Sequence, residues 1–281
     1  GYVDLVYKLK LDGGAILDFS AGGMYRDKKR DSFFNEYTFN SATGSKNPQD
    51  INKDWFNFDE IQFVPRPYGN IGDPLNYDAT EKIGAGYGMV KYTLKEWELI
   101  AGVRVEHTNQ GYVLKFPRDV DPEGNQDYTD VLPSFHAKYG IHRNANLRFS
   151  YARAIEIVPY SIINEDYKEK GNPDLKHTVA DNIDLRYEFF PKSSEQFMVG
   201  LFYKNIQDPI EYGLLNEGQD TYYKPMNFGD AKNLGMEVDV MKYFNWFGIK
   251  ANYTYTHSKV TTDKRIMEGS EVKSVRQSRP L

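Results

Sequence analysis

Oxygen-bearing side chains are spaced for cation chemistry at one place in this sequence. Over Asp119 to Asp130 they fall at positions 1, 3, 5, 9 and 12 of the run, as Asp119, Asp121, Glu123, Asp127 and Asp130, with Gly124 at position 6. That is close to the spacing of a calcium loop, in which carboxylates converge on a hard cation and glycine permits the sharp turn. The departures are a final Asp in place of Glu, Pro122 at position 4 and no evident flanking helices. An acidic solvated loop is the competing reading. The five histidines, His107, His136, His142, His177 and His257, show no close ligand spacing. No Gly-x-Ser-x-Gly nucleophile motif and no phosphate-binding glycine loop is present, so the residues point to neither an enzyme nor a resident cofactor.

Two further sets suit binding rather than catalysis. Trp55, Phe56, Phe58, Tyr160, Tyr167, Tyr212, Tyr222 and Tyr223 lie in long polar connections, where exposed aromatic faces suit sugars, planar macrocycles and catecholate rings. The alternative is that these rings pack the connections against one another. Arg104, Arg148, Asp184, Arg186, Glu188 and Glu237 each sit between apolar neighbours in alternating runs, so they are expected to share one wall and line a lumen. They would contact a ligand or an internal domain there, or simply form a charge ladder between strands.

The elements that carry these residues are strands. From Ala180 to Phe189, Ile183, Leu185, Tyr187 and Phe189 fall on one side and Asn182, Asp184, Arg186 and Glu188 on the other. Pro191-Lys192-Ser193-Ser194-Glu195 turns the chain, and Phe197, Val199, Leu201 and Tyr203 resume the alternation on the way back. The same pattern predicts ten strands in five hairpins, over 1–10, 15–31, 82–93, 97–108, 133–141, 146–157, 180–189, 197–204, 231–242 and 247–260. Short turns join the members of each hairpin. Long connections, 32–81, 111–130, 158–177 and 205–230, join one hairpin to the next. Connections sorted by end in this way, with apolar-out and polar-in strands long enough to cross hydrocarbon, describe an antiparallel transmembrane β-barrel. Tyr92, Trp97, Phe189, Phe190, Tyr243 and Trp246 gather near the short turns, where an interfacial aromatic girdle belongs.

Composition is consistent with that class. The chain has 281 residues, mean hydropathy −0.66, 22 Tyr and 17 Phe. No run approaches the roughly 20 apolar residues of a membrane helix, so any crossing must be by strands. A net charge of −5 argues against a nucleic-acid partner. Cysteine is absent, which leaves neither disulfides nor thiolate metal sites.

At this point the residues resemble a family. Ser150-Tyr151-Ala152-Arg153-Ala154-Ile155, Gly171-Asn172-Pro173-Asp174-Leu175-Lys176 and Asp181-Asn182-Ile183-Asp184-Leu185 look like consecutive barrel motifs of TonB-dependent outer-membrane receptors. The series continues through Phe202 to Ile210, Asn227 to Glu237, Tyr253-Thr254-Tyr255-Thr256 and Arg279-Pro280-Leu281, with a Bacteroidota-like flavour. The matches run in family order over Ser150 to Leu281, whereas Gly1 to Asn146 matches in pattern only. The Gly171 to Leu175 motif reads as a structural turn and strand entry.

The resemblance implies a plugged barrel of about 22 strands in the cell outer membrane. It implies active uptake of a scarce ligand, such as siderophore-iron, haem, cobalamin or a glycan, driven by TonB–ExbB–ExbD through a plug domain. Residues 1–281 are then expected to be one barrel portion without the plug or the final strands. Such a portion would have open edge strands and would not close or transport alone. Outer-membrane lipid and a surface lipoprotein are the further partners implied. The rivals are a complete small barrel enzyme, a protease or lipase, and a soluble carbohydrate-binding β-sandwich. The second would have to bury the charged face of Asn182 to Glu188, at a cost of several kcal/mol per unpaired ion.

Overall fold

A strand whose alternate residues prefer different solvents is stable only where both solvents are present, and the whole architecture follows that rule. The computed structural model describes residues 1–35, 37–41, 61–65, 76–116, 122–156, 172, 174–217, 220–268 and 271–279. Among them there are fifteen strands and no helix. These are β1 (Tyr2–Lys10), β2 (Ile16–Ser32), β3 (Tyr37–Ser41), β4 (Ile61–Pro65), β5 (Tyr77–Leu94), β6 (Trp97–Leu114), β7 (Glu123–His142) and β8 (Ala145–Glu156). They continue with β9 (Thr178–Phe189), β10 (Gln196–Gln207), β11 (Ile210–Glu217), β12 (Asp220–Asn227), β13 (Asp230–Tyr243), β14 (Gly248–Glu268) and β15 (Glu271–Arg279).

Eleven strands form one antiparallel sheet in the order β1-β2-β5-β6-β7-β8-β9-β10-β13-β14-β15. The ten expected strands are all present in it. The sequence reading is corrected at three places. The polar tail forms β15, pairing with β14 from Val260↔Arg279 to Glu268↔Glu271. The connections 32–81 and 205–230 hold two-stranded ribbons, β3 with β4 and β11 with β12. Most of 111–130 is not a loop, because β6 runs on to Leu114 and β7 begins at Glu123.

Register makes the two faces continuous. Phe149↔Leu185, Leu185↔Leu201, Leu201↔Met236 and Met236↔Tyr255 stand side by side across five strands. Leu5↔Ala21, Ala21↔Gly88, Gly88↔Val103 and Val103↔Pro133 continue that face at the other side of the sheet. Its side chains stay largely uncovered: Leu201 is 51% exposed and Tyr255 56%. A soluble protein rarely presents an apolar surface of this extent, whereas lipid covers it at no cost. The buried apolar residues lie elsewhere, with Tyr77 and Ala145 at strand ends, Leu175 and Phe228 in connections, and Ile83 and Val260 within β5 and β14 on the opposite face.

The short turns, Leu11–Ala15, Lys95–Glu96, Arg143–Asn144, Phe190–Glu195 and Phe244–Phe247, share one end of the sheet. Gly13 and Gly14 have φ of +85° and +83°, a conformation that side chains resist. Rings line this end: Trp97 and Tyr139 have centroids 4.6 Å apart, and Phe244 stacks on Phe247 at 4.7 Å. At the opposite end β2, β5, β6, β7 and β14 reach 17 to 21 residues. A tilted strand needs about 10 to cross the bilayer, so these five project well beyond it.

Candidate functional site

The six charged residues expected on one wall do share one face. Cross-strand pairing links Arg148↔Arg186, Arg186↔Gly200 and Gly200↔Glu237, and Asp184 and Glu188 fall at positions of the same parity. Arg104 joins them through Arg104↔Leu132 and Lys138↔Arg148, both on that face. Two arginines directly opposite one another repel, and each is relieved by a carboxylate, Arg148 by the diagonal Glu188 and Arg186 by Glu237, which it reaches across Gly200 in the same row. Arg148 Nε donates to Glu188 Oε2 at 2.8 Å, and Arg186 Nη2 to Glu237 Oε2 at 3.4 Å. Asn146 Nδ2 also donates to Glu188 at 3.4 Å, and Arg104 Nε donates to Glu106 Oε2 at 3.0 Å. Asp184 makes no ion pair among the described residues. This geometry is a charge ladder, and it leaves a wall rich in both signs facing away from lipid.

The distinctive arrangement lies at the projecting end. β7 pairs with β8 only from Ser134 onward: Pro133 has no N–H and the ladder between the two strands stops there, although β8 itself continues to Glu156, paired with β9. Beyond Pro133 the charged face of β7 meets the end of the chain leading into β9. Gln126 Nε2 donates to Leu175 O at 2.7 Å, the His177 Nε2 is 2.8 Å from Asp130 Oδ1, and the His177 ring stacks on Tyr128 with centroids 4.2 Å apart. Gln126, Tyr128 and Asp130 alternate with Asn125, Asp127 and Thr129, so they lie on the charged face.

The same segment is tied to the base of the β11–β12 ribbon. Asn172 Nδ2 donates to Pro225 O at 2.8 Å, and Lys176 N donates to Asn227 Oδ1 at 2.8 Å. Asn227 Nδ2 donates in turn to Lys176 O and to Asp208 O, both at 2.9 Å. One wall strand, one connection and one ribbon are thereby a single hydrogen-bonded unit. Within it Asp174 N donates to Asn172 Oδ1 at 3.2 Å, the local bond expected of a structural turn.

A second clamp closes the β2–β5 end. Phe34 N donates to Asn76 Oδ1 at 2.6 Å and Asn76 Nδ2 to Phe34 O at 3.0 Å. Nearby, Lys115 Nζ is 2.6 Å from Asp31 Oδ2. The hydrogen bond from Lys115 holds the Asp31 carboxyl below the usual carboxylate range and pushes the Lys115 amine up. At the short-turn end, the Lys242 ammonium, 2.7 Å from Glu195 Oε2, likewise holds the Glu195 carboxyl low.

Of the expected binding aromatics, Tyr212 is on β11 and 55% exposed. Tyr222 and Tyr223 are on β12, paired with Leu215 and Leu214, so a ribbon carries them rather than an irregular loop. Trp55, Phe56, Phe58, Tyr160 and Tyr167 lie outside the described residues, as do Asp119 and Asp121 of the calcium spacing. Glu123, Asp127 and Asp130 are on β7, where loop-type convergence is unavailable. Asp127 accepts from Asn109 Nδ2 at 2.9 Å on one face, while Asp130 meets His177 on the other. Among the described residues no three acidic or histidine side chains gather in a form that holds a metal ion. The sequence reading missed His177, Tyr128, Gln126, Asn172 and Asn227. Extending the β7 alternation back to Glu123 would have placed Gln126 and Tyr128 on the charged face.

A model described as the outer membrane protein beta-barrel family matches residues 54–278. Among solved structures, the siderophore receptor PiuA from Acinetobacter baumannii is similar with a TM-score of 0.60 and 16% identity, over 97% of this chain and 40% of that one. The ferric citrate transporter FecA matches with a TM-score of 0.63 and 15% identity, over 92% of this chain and 35% of that one. The copper transporter OprC gives 0.59 and 15%, over 93% and 38%. The chain therefore spans about 35–40% of the length of these proteins. At such identities the likeness is one of fold. Among curated proteins none matches the chain in sequence.

Proposed function

Because the chain belongs to the outer membrane protein beta-barrel family and is therefore located in the outer membrane, we propose that it is the barrel portion of a TonB-dependent receptor. In this reading the barrel takes up a scarce ligand, siderophore-iron, haem, cobalamin or a glycan, and is a transporter rather than an enzyme. A plug domain coupled to TonB–ExbB–ExbD supplies the energy, and the mixed-charge wall of Arg104, Arg148, Asp184, Arg186, Glu188 and Glu237 faces the plug across the lumen. The observation that carries it is the eleven-stranded sheet with one lipid-type face and one ion-paired face, similar over nearly its whole length to part of a siderophore receptor. Capture falls to the projecting end, where Tyr212, Tyr222 and Tyr223 stand on a ribbon bonded to the His177 segment. Trp55, Phe56, Phe58, Tyr160 and Tyr167, in the sequence connections 32–81 and 158–177, are further candidates for the same role.

The test is uptake by the full-length protein. A deletion strain is assayed for accumulation of radiolabelled ferric siderophores, haem, cobalamin and oligosaccharides, with and without a protonophore. Energy-dependent accumulation of one ligand, lost on deletion and restored by the gene, is the expected result. Accumulation of all four classes unchanged by deletion would remove the receptor reading.

A further inference from the structure

On the lipid face of β8 to β14 the apolar band ends in a broken line of larger side chains, Tyr151, Tyr203 and Tyr255, with His257 following on β14. The next row outward is set by register: Arg153↔Asp181, Asp181↔Asn205, Asn205↔Lys232 and Lys232↔Lys259. This row stands one side-chain step beyond the tyrosines, at the depth where lipid headgroups replace hydrocarbon. Its two ends differ. Arg153 is satisfied by Asp181 through two bonds of 2.9 Å. Lys232 and Lys259 face each other directly, both exposed, and neither makes an ion pair among the described residues. The nearest described acid on this face, Asp230, lies a further step outward, opposite Thr261.

Two ammonium groups placed directly opposite repel, with Cβ atoms roughly 5 Å apart. An anion held between them reverses the sign of that interaction. A phosphate group suits the position, since it is compact and multiply charged and lysine binds it as a point charge. We infer that Lys232 and Lys259 form a binding site for the phosphate of a phosphorylated lipid in the outer leaflet. The lipid's acyl chains would run down the adjoining apolar surface of Leu234, Met236 and Tyr253. This site rests on the membrane location alone and is independent of what the lumen transports.

The test uses the full-length protein in detergent, titrated with bis-phosphorylated lipid A, with the same lipid stripped of phosphate, and with inorganic phosphate as competitor. Lys232→Gln/Lys259→Gln is expected to weaken binding of the phosphorylated lipid by roughly 30-fold, the effect of two surface lysines. The Lys232→Arg/Lys259→Arg protein should keep it, and Lys250→Gln on the opposite face should change nothing. Equal binding of the phosphate-free lipid, or an unaltered affinity in the double Gln variant, would overturn the proposal. Displacement of the lipid by millimolar inorganic phosphate would make the pair a free-anion site and overturn the lipid assignment as well.

Discussion

His177 and Asp130, separated by 47 residues, meet at 2.8 Å on the charged face of β7, with the His177 ring stacked on Tyr128. This contact ties the charged face of β7, beyond the point where its pairing with β8 stops, to the end of the connection into β9.

Replacing His177 with Ala should free that connection. The loss of a bond to a carboxylate together with a ring contact costs about 2 kcal/mol in this partly exposed setting. Limited proteolysis of the full-length protein would then cut within 157–177 faster than in the wild type, while the apolar band stays protected. His177→Phe keeps the stack and should fall between the two. Identical cleavage rates in all three proteins would show that the contact does not hold the segment.

Leu185 is 42% exposed at the middle of the apolar face, and its neighbour Arg186 is on the opposite face. Leu185→Lys should destabilise the protein by about 2–4 kcal/mol in phospholipid bilayers, as lysine does at mid-bilayer on barrel exteriors. Arg186→Lys, which keeps the charge on the wet face, should change little. Urea unfolding in bilayers reads both; equal effects would mean that the faces are assigned the wrong way round.

A Cβ at Gly235 would run into the ring of Phe202 on the adjacent strand and lie 2.5 Å from Tyr255 O. Gly235→Ala is therefore expected to cost about 1–3 kcal/mol by overpacking. Adding Phe202→Ala should recover part of that loss but not all, because the Tyr255 carbonyl cannot move aside. Complete additivity of the two substitutions in thermal unfolding would contradict the contact.

Glu195 and Lys242 give a pH dependence of known sign. Since Lys242 lowers the folded-state pKa of Glu195, their contact is complete above the ordinary glutamate range and disappears as the pH falls through the lowered value. The difference in melting temperature between wild type and Glu195→Gln should be constant near neutrality and vanish in acid. A difference that persists unchanged through the titration would assign the effect to packing.

What the sequence determined by itself is local parity. Ile183, Leu185 and Tyr187 against Asp184, Arg186 and Glu188 define two faces whatever the partner strands are, because successive side chains of a strand must point to opposite sides. Parity also placed the short turns, since glycine and polar clusters interrupt it. Where both faces are polar the pattern loses contrast, and there the sequence was silent. His107, Asn109, Asp127 and Thr129 alternate with Thr108, Gln110, Gln126 and Tyr128 without an apolar side to mark the strand, so β6 and β7 run further than expected. Glu271–Arg279 likewise lacks alternation and is a strand because β14 offers it an edge.

Only the tertiary structure decided which charges meet. Arg148 with Glu188, Asp130 with His177 and Lys232 beside Lys259 depend on register across strands, and a shift of one residue would exchange the faces of every one of them. Register is settled by the summed burial and pairing of whole strands, a quantity that no short window of sequence contains.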